Sequence, residues 1–297
     1  MYLNCHTYYS LRFGTLSEVE LLMLAQENQV DHLVLTDINN TSASLNFVRK
    51  AQEFGIKLIL GIDFRNGVDQ CFIGIAKNNN GYQELNNFLS DHLNNEKTIE
   101  SQAPTFKDAY IIYPFEKVLL NKQNTLLEHE FIGISIRDLR RLPFSKIIAY
   151  RDKLVVQQPV TFRNKRDFNA HRLLRAIDNN ILLSKLPQSE EADPEEKMLP
   201  INDLTTAFSE YNFILKNTER LMQSCNIYFD FSEDRIPQNL VTYLGDTKKD
   251  EALLEKLCQE GLPERYKHTE IGSVILERLQ KELDLIKKMG FVSYFRN

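Results

Sequence analysis

Tyr2-Leu3-Asn4-Cys5-His6, His32-Leu33-Val34-Leu35-Thr36-Asp37 and Lys57-Leu58-Ile59-Leu60-Gly61-Ile62-Asp63 are three short apolar runs that each lead into a polar residue. Two stretches of helical spacing separate them. This is the grammar of β-α-β-α-β with a parallel sheet, in which the loops after the strand ends gather on one face and hold the chemistry. It predicts that Asn4, His6, Asp37 and Asp63 approach one another. Thr15-Leu16-Ser17-Glu18 has the form of a capping box, with Val19, Leu22 and Ala25 following at helical spacing. The second helix, about residues 43–54, should end at Gly55 in a left-handed cap before the third strand begins.

A hydrolytic metal site at the mouth of a β/α barrel needs several imidazoles and carboxylates, because each divalent ion takes about four to six ligands. Here the expected cleft offers one imidazole, His6, and two carboxylates, Asp37 and Asp63. That supply is thin even for one ion. The favoured reading of these residues alone is structural, with Asp37 capping the loop Asp37-Ile38-Asn39-Asn40 and His6 hydrogen-bonded in a wet crevice.

The segments Leu3-Asn4-Cys5-His6-Thr7-Tyr8-Tyr9-Ser10-Leu11-Arg12-Phe13-Gly14, Leu35-Thr36-Asp37-Ile38-Asn39-Asn40 and Gly55-Ile56-Lys57-Leu58-Ile59-Leu60-Gly61-Ile62-Asp63-Phe64 resemble the PHP (polymerase and histidinol phosphatase) domain. The version they resemble opens the α subunit of the C-family replicative polymerases, bacterial DNA polymerase III. Ile75-Ala76-Lys77-Asn78-Asn79-Asn80-Gly81-Tyr82-Gln83-Glu84-Leu85 is similar to a further segment of that family, and Asn217-Thr218-Glu219-Arg220 to a helix that closes its PHP domain. Residues 277–291 with Tyr294 and Phe295 are similar to the helix leading into the polymerase palm. The matches keep the family's order over nearly the whole chain. The resemblance implies an α/β fold, a distorted (β/α)7-type PHP barrel (residues 1–235), followed by a mainly helical connector (236–297) to the palm.

The departures from the family pattern bear on chemistry. Metal-binding PHP domains open with His-x-His, where this chain has Asn4-x-His6. Phe13 stands in place of an acidic residue, Ile38 in place of a histidine, Asp63 in place of a glutamate, and Thr161, with Pro159, in place of a late Asp-x-His. Phenylalanine, isoleucine, proline and threonine cannot replace carboxylates and imidazoles as ligands. The resemblance therefore implies a vestigial cleft at Asn4, His6, Phe13, Asp37, Ile38, Asp63 and Thr161. No catalytic residue and no cofactor are expected there, beyond weak binding of a single divalent ion.

With 297 residues, 42% hydrophobic and 26% charged, the chain has room for one large domain and part of another. No apolar run approaches the ~20 residues of a membrane span and no leader pattern opens it, so no membrane partner and a cytoplasmic location are expected. Cys5, Cys71, Cys225 and Cys258 are far apart, which argues for reduced thiols rather than zinc or disulfides. The formal charge of −5 gives no global footprint for nucleic acid. Two local basic clusters, Arg137/Arg140/Arg141 and Arg163/Lys165/Arg166/Arg172/Arg175, read as solvated faces without interleaved aromatic residues to stack bases.

Further strands are expected near residues 70–76, 109–113, 131–136 and 154–156, with helices near 81–92, 116–120, 136–142, 167–183, 203–211 and 213–225. Residues 187–200, acidic and bounded by prolines, read as an exposed loop, and 227–231 as a strand or extended segment. A helix at 248–260 should stop at Gly261-Leu262-Pro263. In the last helix, 271–289, Ile271, Ile275, Leu279, Leu283 and Ile286 form a stripe that needs a partner. The acidic motif of a palm is absent before Tyr294-Phe295-Arg296-Asn297, so the expectation is an N-terminal piece that does not polymerise DNA alone.

Two functional classes follow. One is a structural and partner-binding domain of the polymerase subunit, whose implied partners are the rest of that subunit and the proofreading exonuclease subunit, with DNA contacted mainly by the other domains. The alternative is a metal-dependent phosphoesterase, an exonuclease or pyrophosphatase, in which metal-held hydroxide attacks phosphorus.

Overall fold

Parallel strands alternating with helices organise the first part of the chain, as the opening apolar runs require. The computed structural model describes residues 1–120, 126–232, 238–267 and 270–296. The chain forms two compact units, Met1–Phe229 and Asp230–Asn297. The expected boundary between residues 235 and 236 lies outside the described residues.

In the first unit β1 (Tyr2–Cys5), α1 (Glu18–Glu27), β2 (His32–Leu35), α2 (Ser44–Glu53), β3 (Lys57–Asn66) and β4 (Asp69–Ala76) are followed by α3 (Asn79–Asn94), β5 (Ala109–Pro114), α4 (Phe115–Leu120), β6 (Glu130–Ile134), β7 (Leu154–Val156) and β8 (Pro159–Val160). Helices α5 (Lys165–Asp178), α6 (Ile201–Ala207) and α7 (Asn212–Gln223) complete it. The strands form one eight-stranded sheet in the order β7-β6-β5-β4-β3-β2-β1-β8. All pairings are parallel except those of β4, which turns back on β3 and runs antiparallel to β5 as well. Seven of the strands are those expected. The eighth, two residues long, carries too short a pattern to read.

The sheet is curled, and its two faces hold different cores. Leu3, Val34, Ile59, Ile73, Ile75, Ile112 and Val155 meet in one cluster that Leu221, Met222 and Cys225, at the end of α7, close off. On the other face Tyr2, Cys5, Leu33, Leu35, Leu58 and Leu60 pack on Leu21, Leu22 and Ala25 of α1 and Phe47, Val48 and Ala51 of α2. Alternation along β2 and β3 explains the division, since successive side chains point to opposite faces, while in β1 a register shift between Tyr2 and Cys5 interrupts it. The architecture is a PHP-type α/β barrel followed by a helical segment.

Local chemistry moved several boundaries. The capping box of α1 is Ser17 with Glu20, two residues beyond the expected frame. Thr15 instead donates to the Thr161 carbonyl at 3.1 Å, and Glu18 accepts from Tyr8 and Asn46. The helix expected at 136–142 is a series of short 3-10 turns. Residues 227–231 form no strand. They are held instead by Asn79, whose side chain binds the backbone of Tyr228 at both N–H and carbonyl. The acidic segment 187–200 is not wholly exposed, because Ala192 and Met198 are buried.

The second unit contains α8 (Thr247–Arg265) and α9 (Ser273–Lys288). Helix α8 passes through Gly261 and Pro263 rather than stopping there. Pro263 removes one amide donor, and the last turn still closes through Tyr266 N–H to the Leu262 carbonyl. The stripe on α9 finds its partner within this unit: Leu283 packs with Leu254 and Val292, and Leu279, Ile286 and Cys258 join them.

One close approach governs the loop that precedes the cleft. A Cβ placed on Gly14 would lie 1.8 Å from the Thr7 carbonyl oxygen, so the loop can close only around glycine. Gly14→Ala is expected to lower stability by roughly 1–3 kcal/mol through the forced backbone shift, measured as a drop in the urea midpoint at unchanged slope.

Candidate functional site

The C-terminal ends of β1, β2 and β8 continue as a short hydrogen-bonded ladder beyond the strands. His6 N–H donates to Val160 O and Thr36 N–H to Cys5 O, each at 2.9 Å. This brings His6, Thr161 and Asp63, all fully buried, to one point. His6 Nε2 lies 3.0 Å from Asp63 Oδ2, and His6 Nδ1 lies 3.0 Å from Thr161 Oγ1. The Thr161 hydroxyl donates onward to Glu196.

Asp63 is the hub. Its Oδ2 also accepts from Arg65 Nε at 3.0 Å and Nη2 at 2.7 Å, and its Oδ1 from Gln70 Nε2 at 2.8 Å. Gln70 in turn accepts from Gln157 Nε2. Burial opposes ionisation of Asp63, yet the Arg65 guanidinium and His6 hold its carboxyl well below the usual carboxylate range. The same pairing keeps buried Arg65 charged against the pull of desolvation. Arg65 also lies over the Phe13 ring, 4.9 Å from its centroid, a cation–π contact that counts for more when desolvated. The Asn39 side chain fixes the backbone of Arg65 by accepting from its N–H and donating to its carbonyl.

Of the residues that the sequence singled out, His6, Asp63, Thr161 and Phe13 meet here. Ile38 packs beside Phe13 and Phe162. Asn4 accepts from the Thr36 hydroxyl at 2.9 Å, and its Nδ2 has no partner. Asp37 makes no hydrogen bond to His6 and does not cap its own loop. Its two oxygens accept from Thr7 N–H, Thr7 Oγ1 and Ser10 Oγ at 2.6–2.7 Å, tying down the loop that ends at Gly14. Burial pushes the Asp37 carboxyl up in spite of those three donors.

Arg65, Gln70, Gln157 and Glu196 were missed. Arg65 lies two residues beyond Asp63 on one strand, and that spacing is the signal that could have found it. Glu196 belongs to the acidic segment expected to be a solvated loop. Its carboxyl is pushed up by burial against the opposing pull of Arg65. His171 is held through both ring nitrogens: Nδ1–H donates to Phe13 O at 2.7 Å and Nε2 accepts from Ala192 N–H at 2.9 Å. It thereby staples the Gly14 loop to the 187–200 segment in the neutral form, with its pKa pushed down to about 4 by burial first and by Arg175 after it.

These donors do not fit a resident divalent ion. Both ring nitrogens of His6 are engaged, Asp63 is committed to a guanidinium, and Asp37 serves the neighbouring loop. Among the described residues no group of three or more His, Cys, Asp or Glu is arranged to hold a metal. Beside the cleft, at the ends of β5 to β8, a cavity of about 500 Å³ is lined by Phe115, Ser135, Gln157, Gln158 and Glu196 among others.

Comparison with known proteins agrees with the motifs. Residues 3–132 match the PHP domain family, and residues 252–296 match the family described as bacterial DNA polymerase III alpha NTPase domain. A DNA polymerase III subunit alpha of Halalkalibacterium halodurans is 22% identical across 99% of this chain and 28% of its own length. The subunits of Ureaplasma parvum and Staphylococcus aureus are 25% and 27% identical, again across 99% of this chain and 28% and 27% of their own lengths. The chain thus spans less than a third of these relatives. Its first part is similar to a PHP domain and its last to a segment of the DNA polymerase III alpha family.

Arg65→Ala leaves the Asp63 charge buried without its counter-ion and is expected to cost about 3–5 kcal/mol in urea unfolding. Adding Asp63→Asn to that variant should recover part of the loss. For His171, a folded pKa near 4 against about 6.5 unfolded means that the unfolded chain binds more protons between those values. Stability that is complete above pH 6.5 should fall by up to about 3 kcal/mol as the pH drops toward 4. His171→Gln should show a correspondingly shallower pH dependence over that window.

Proposed function

We propose that this chain is the N-terminal, PHP-bearing portion of a DNA polymerase III alpha-type subunit and acts as a non-catalytic structural and partner-binding domain. The observation that carries the reading is the placement of Arg65. A cation fixed to the chain sits on Asp63 and against Phe13 at the centre of the cleft, where bound metals would have to neutralise the same carboxylate. Any hydrolytic metal entering would meet a like charge and too few free ligands. The departures at Asn4, Phe13, Ile38 and Thr161 support the same conclusion.

On this reading the first partner is the rest of the polymerase subunit. Leu240, Val241, Tyr243 and Leu244, with Tyr294 and Phe295, are exposed on the second unit, and a surface so apolar suits coverage by further protein. The proofreading exonuclease subunit is the second partner, carried by the family resemblance. DNA synthesis and most DNA contacts belong to other domains of such a subunit, and the cytoplasm is its place of action. No helix among the described residues is long and apolar enough to cross a membrane.

The test is elemental analysis of metal-stripped protein after dialysis against zinc and manganese, together with hydrolysis of a chromogenic phosphodiester. Substoichiometric metal without turnover is expected. Near-stoichiometric metal with turnover abolished in His6→Ala would establish the phosphoesterase alternative instead.

A further inference from the structure

Between residues 137 and 153 the chain makes four consecutive 3-10 turns and carries six basic against two acidic side chains, although the protein as a whole is acidic. Phe144 stands at the tip of the second turn and is 92% exposed, more than any other large apolar side chain among the described residues. It is not left out by slack in the chain. Leu142, two residues before it, and Ile147, three after it, are buried in the main core, and Pro143 opens the turn. Two anchors and a fixed proline φ hold the ring in water, a placement that burial energetics alone disfavours.

The cations around the ring fall into two groups. Arg137 pairs with Asp193, and Arg141 pairs with Glu116 while lying over Phe115. Arg140 and Lys146 are exposed and form no ion pair among the described residues. Of the two acids in the segment, Asp138 is turned inward onto Ser135. The second basic cluster also holds two exposed cations that form no ion pair among the described residues, Lys165 and Arg166, but it differs in its other cations and in its aromatic residues. Arg163, Arg172 and Arg175 are bound by Asp167, Glu191, Asp178 and Glu190, and the aromatic residues beside them, Phe162 and Phe168, pack inward with Phe13.

A rigidly presented ring face flanked by uncommitted cations matches one ligand chemistry, an unpaired base with its phosphates. We propose that the 140–146 turn is a contact site for single-stranded nucleic acid, with Phe144 stacking on a base and Arg140 and Lys146 engaging adjacent phosphates. The sequence reading found no aromatic residue interleaved with these arginines. The structure supplies one, placed just after them and held outward. The site uses none of the residues of the Asp63 network and does not depend on whether the cleft is catalytic.

The experiment is fluorescence anisotropy of a labelled oligo-dT titrated with the full 297-residue chain over a salt series, alongside a duplex of equal length and a labelled polyglutamate peptide. Oligo-dT binding at low salt is expected, weakened at least about fivefold in Phe144→Ala, since stacking is worth ~1–3 kcal/mol per base. Arg140→Gln and Lys146→Gln should each reduce the slope of log affinity against log salt by about 0.7. Lys256→Gln, in the second unit, should leave binding unchanged, and circular dichroism should show all variants folded. No binding to oligo-dT at low salt, an affinity unchanged in Phe144→Ala, or equal affinity for polyglutamate would each overturn the proposal, the last in favour of an acidic polypeptide partner.

Discussion

The ion pair between Asp63 and Arg65, buried with His6 at the mouth of the barrel, is the constraint on which the cleft depends. A carboxylate at this depth is tolerable only if its charge is met and its lone pairs are filled. Asp63 has both, from the guanidinium, the imidazole and the Gln70 amide. Each donor is then held by something else: Arg65 by Phe13 and Asn39, His6 by Thr161, Gln70 by Gln157. The network links β1, β3, β4 and the residues following β7 and β8, so that it serves as a polar clasp across the open end of the sheet.

Around this clasp the loops are fastened by single side chains with two-sided bonds. Asp37 gathers Thr7 and Ser10, Asn39 copies a strand partner for Arg65, and His171 joins Phe13 to Ala192. Asp37 and His171 are buried and Asn39 half-buried, and each is hydrogen-bonded on both sides, the kind of satisfied network that rigidifies rather than weakens a core. Asn4 is unlike them, since its amide Nδ2 has no partner. Its side-chain oxygen accepts from Thr36, and its backbone is paired with Pro159 in β8. The cleft is therefore organised around an internal cation.

The fold was largely legible because its signals are local. Alternating strands, a helix stop at Gly55 and the polar residue after each strand depend on neighbours in sequence, and those parts of the reading agree with the structure. The errors arose where a distant partner decided the outcome. Thr15 and Ser17 are both credible caps, and the choice between them rested on the Thr161 carbonyl 146 residues away. The segment 187–200 reads as solvated by composition, yet His171 and Thr161 draw Ala192 and Glu196 inward.

By itself the sequence determined the βαβαβ order and the residue types that follow each strand, because these are properties of pattern and identity. Only the tertiary structure decided what those residues do. That Asp37 binds the loop of Thr7 and Ser10 rather than its own, that Arg65 reaches the carboxylate two residues before it, and that Phe144 stands in water while Phe13 lies under a guanidinium are matters of direction. Side-chain direction is set by strand register, bulges and the packing of remote elements, and no residue carries that information alone.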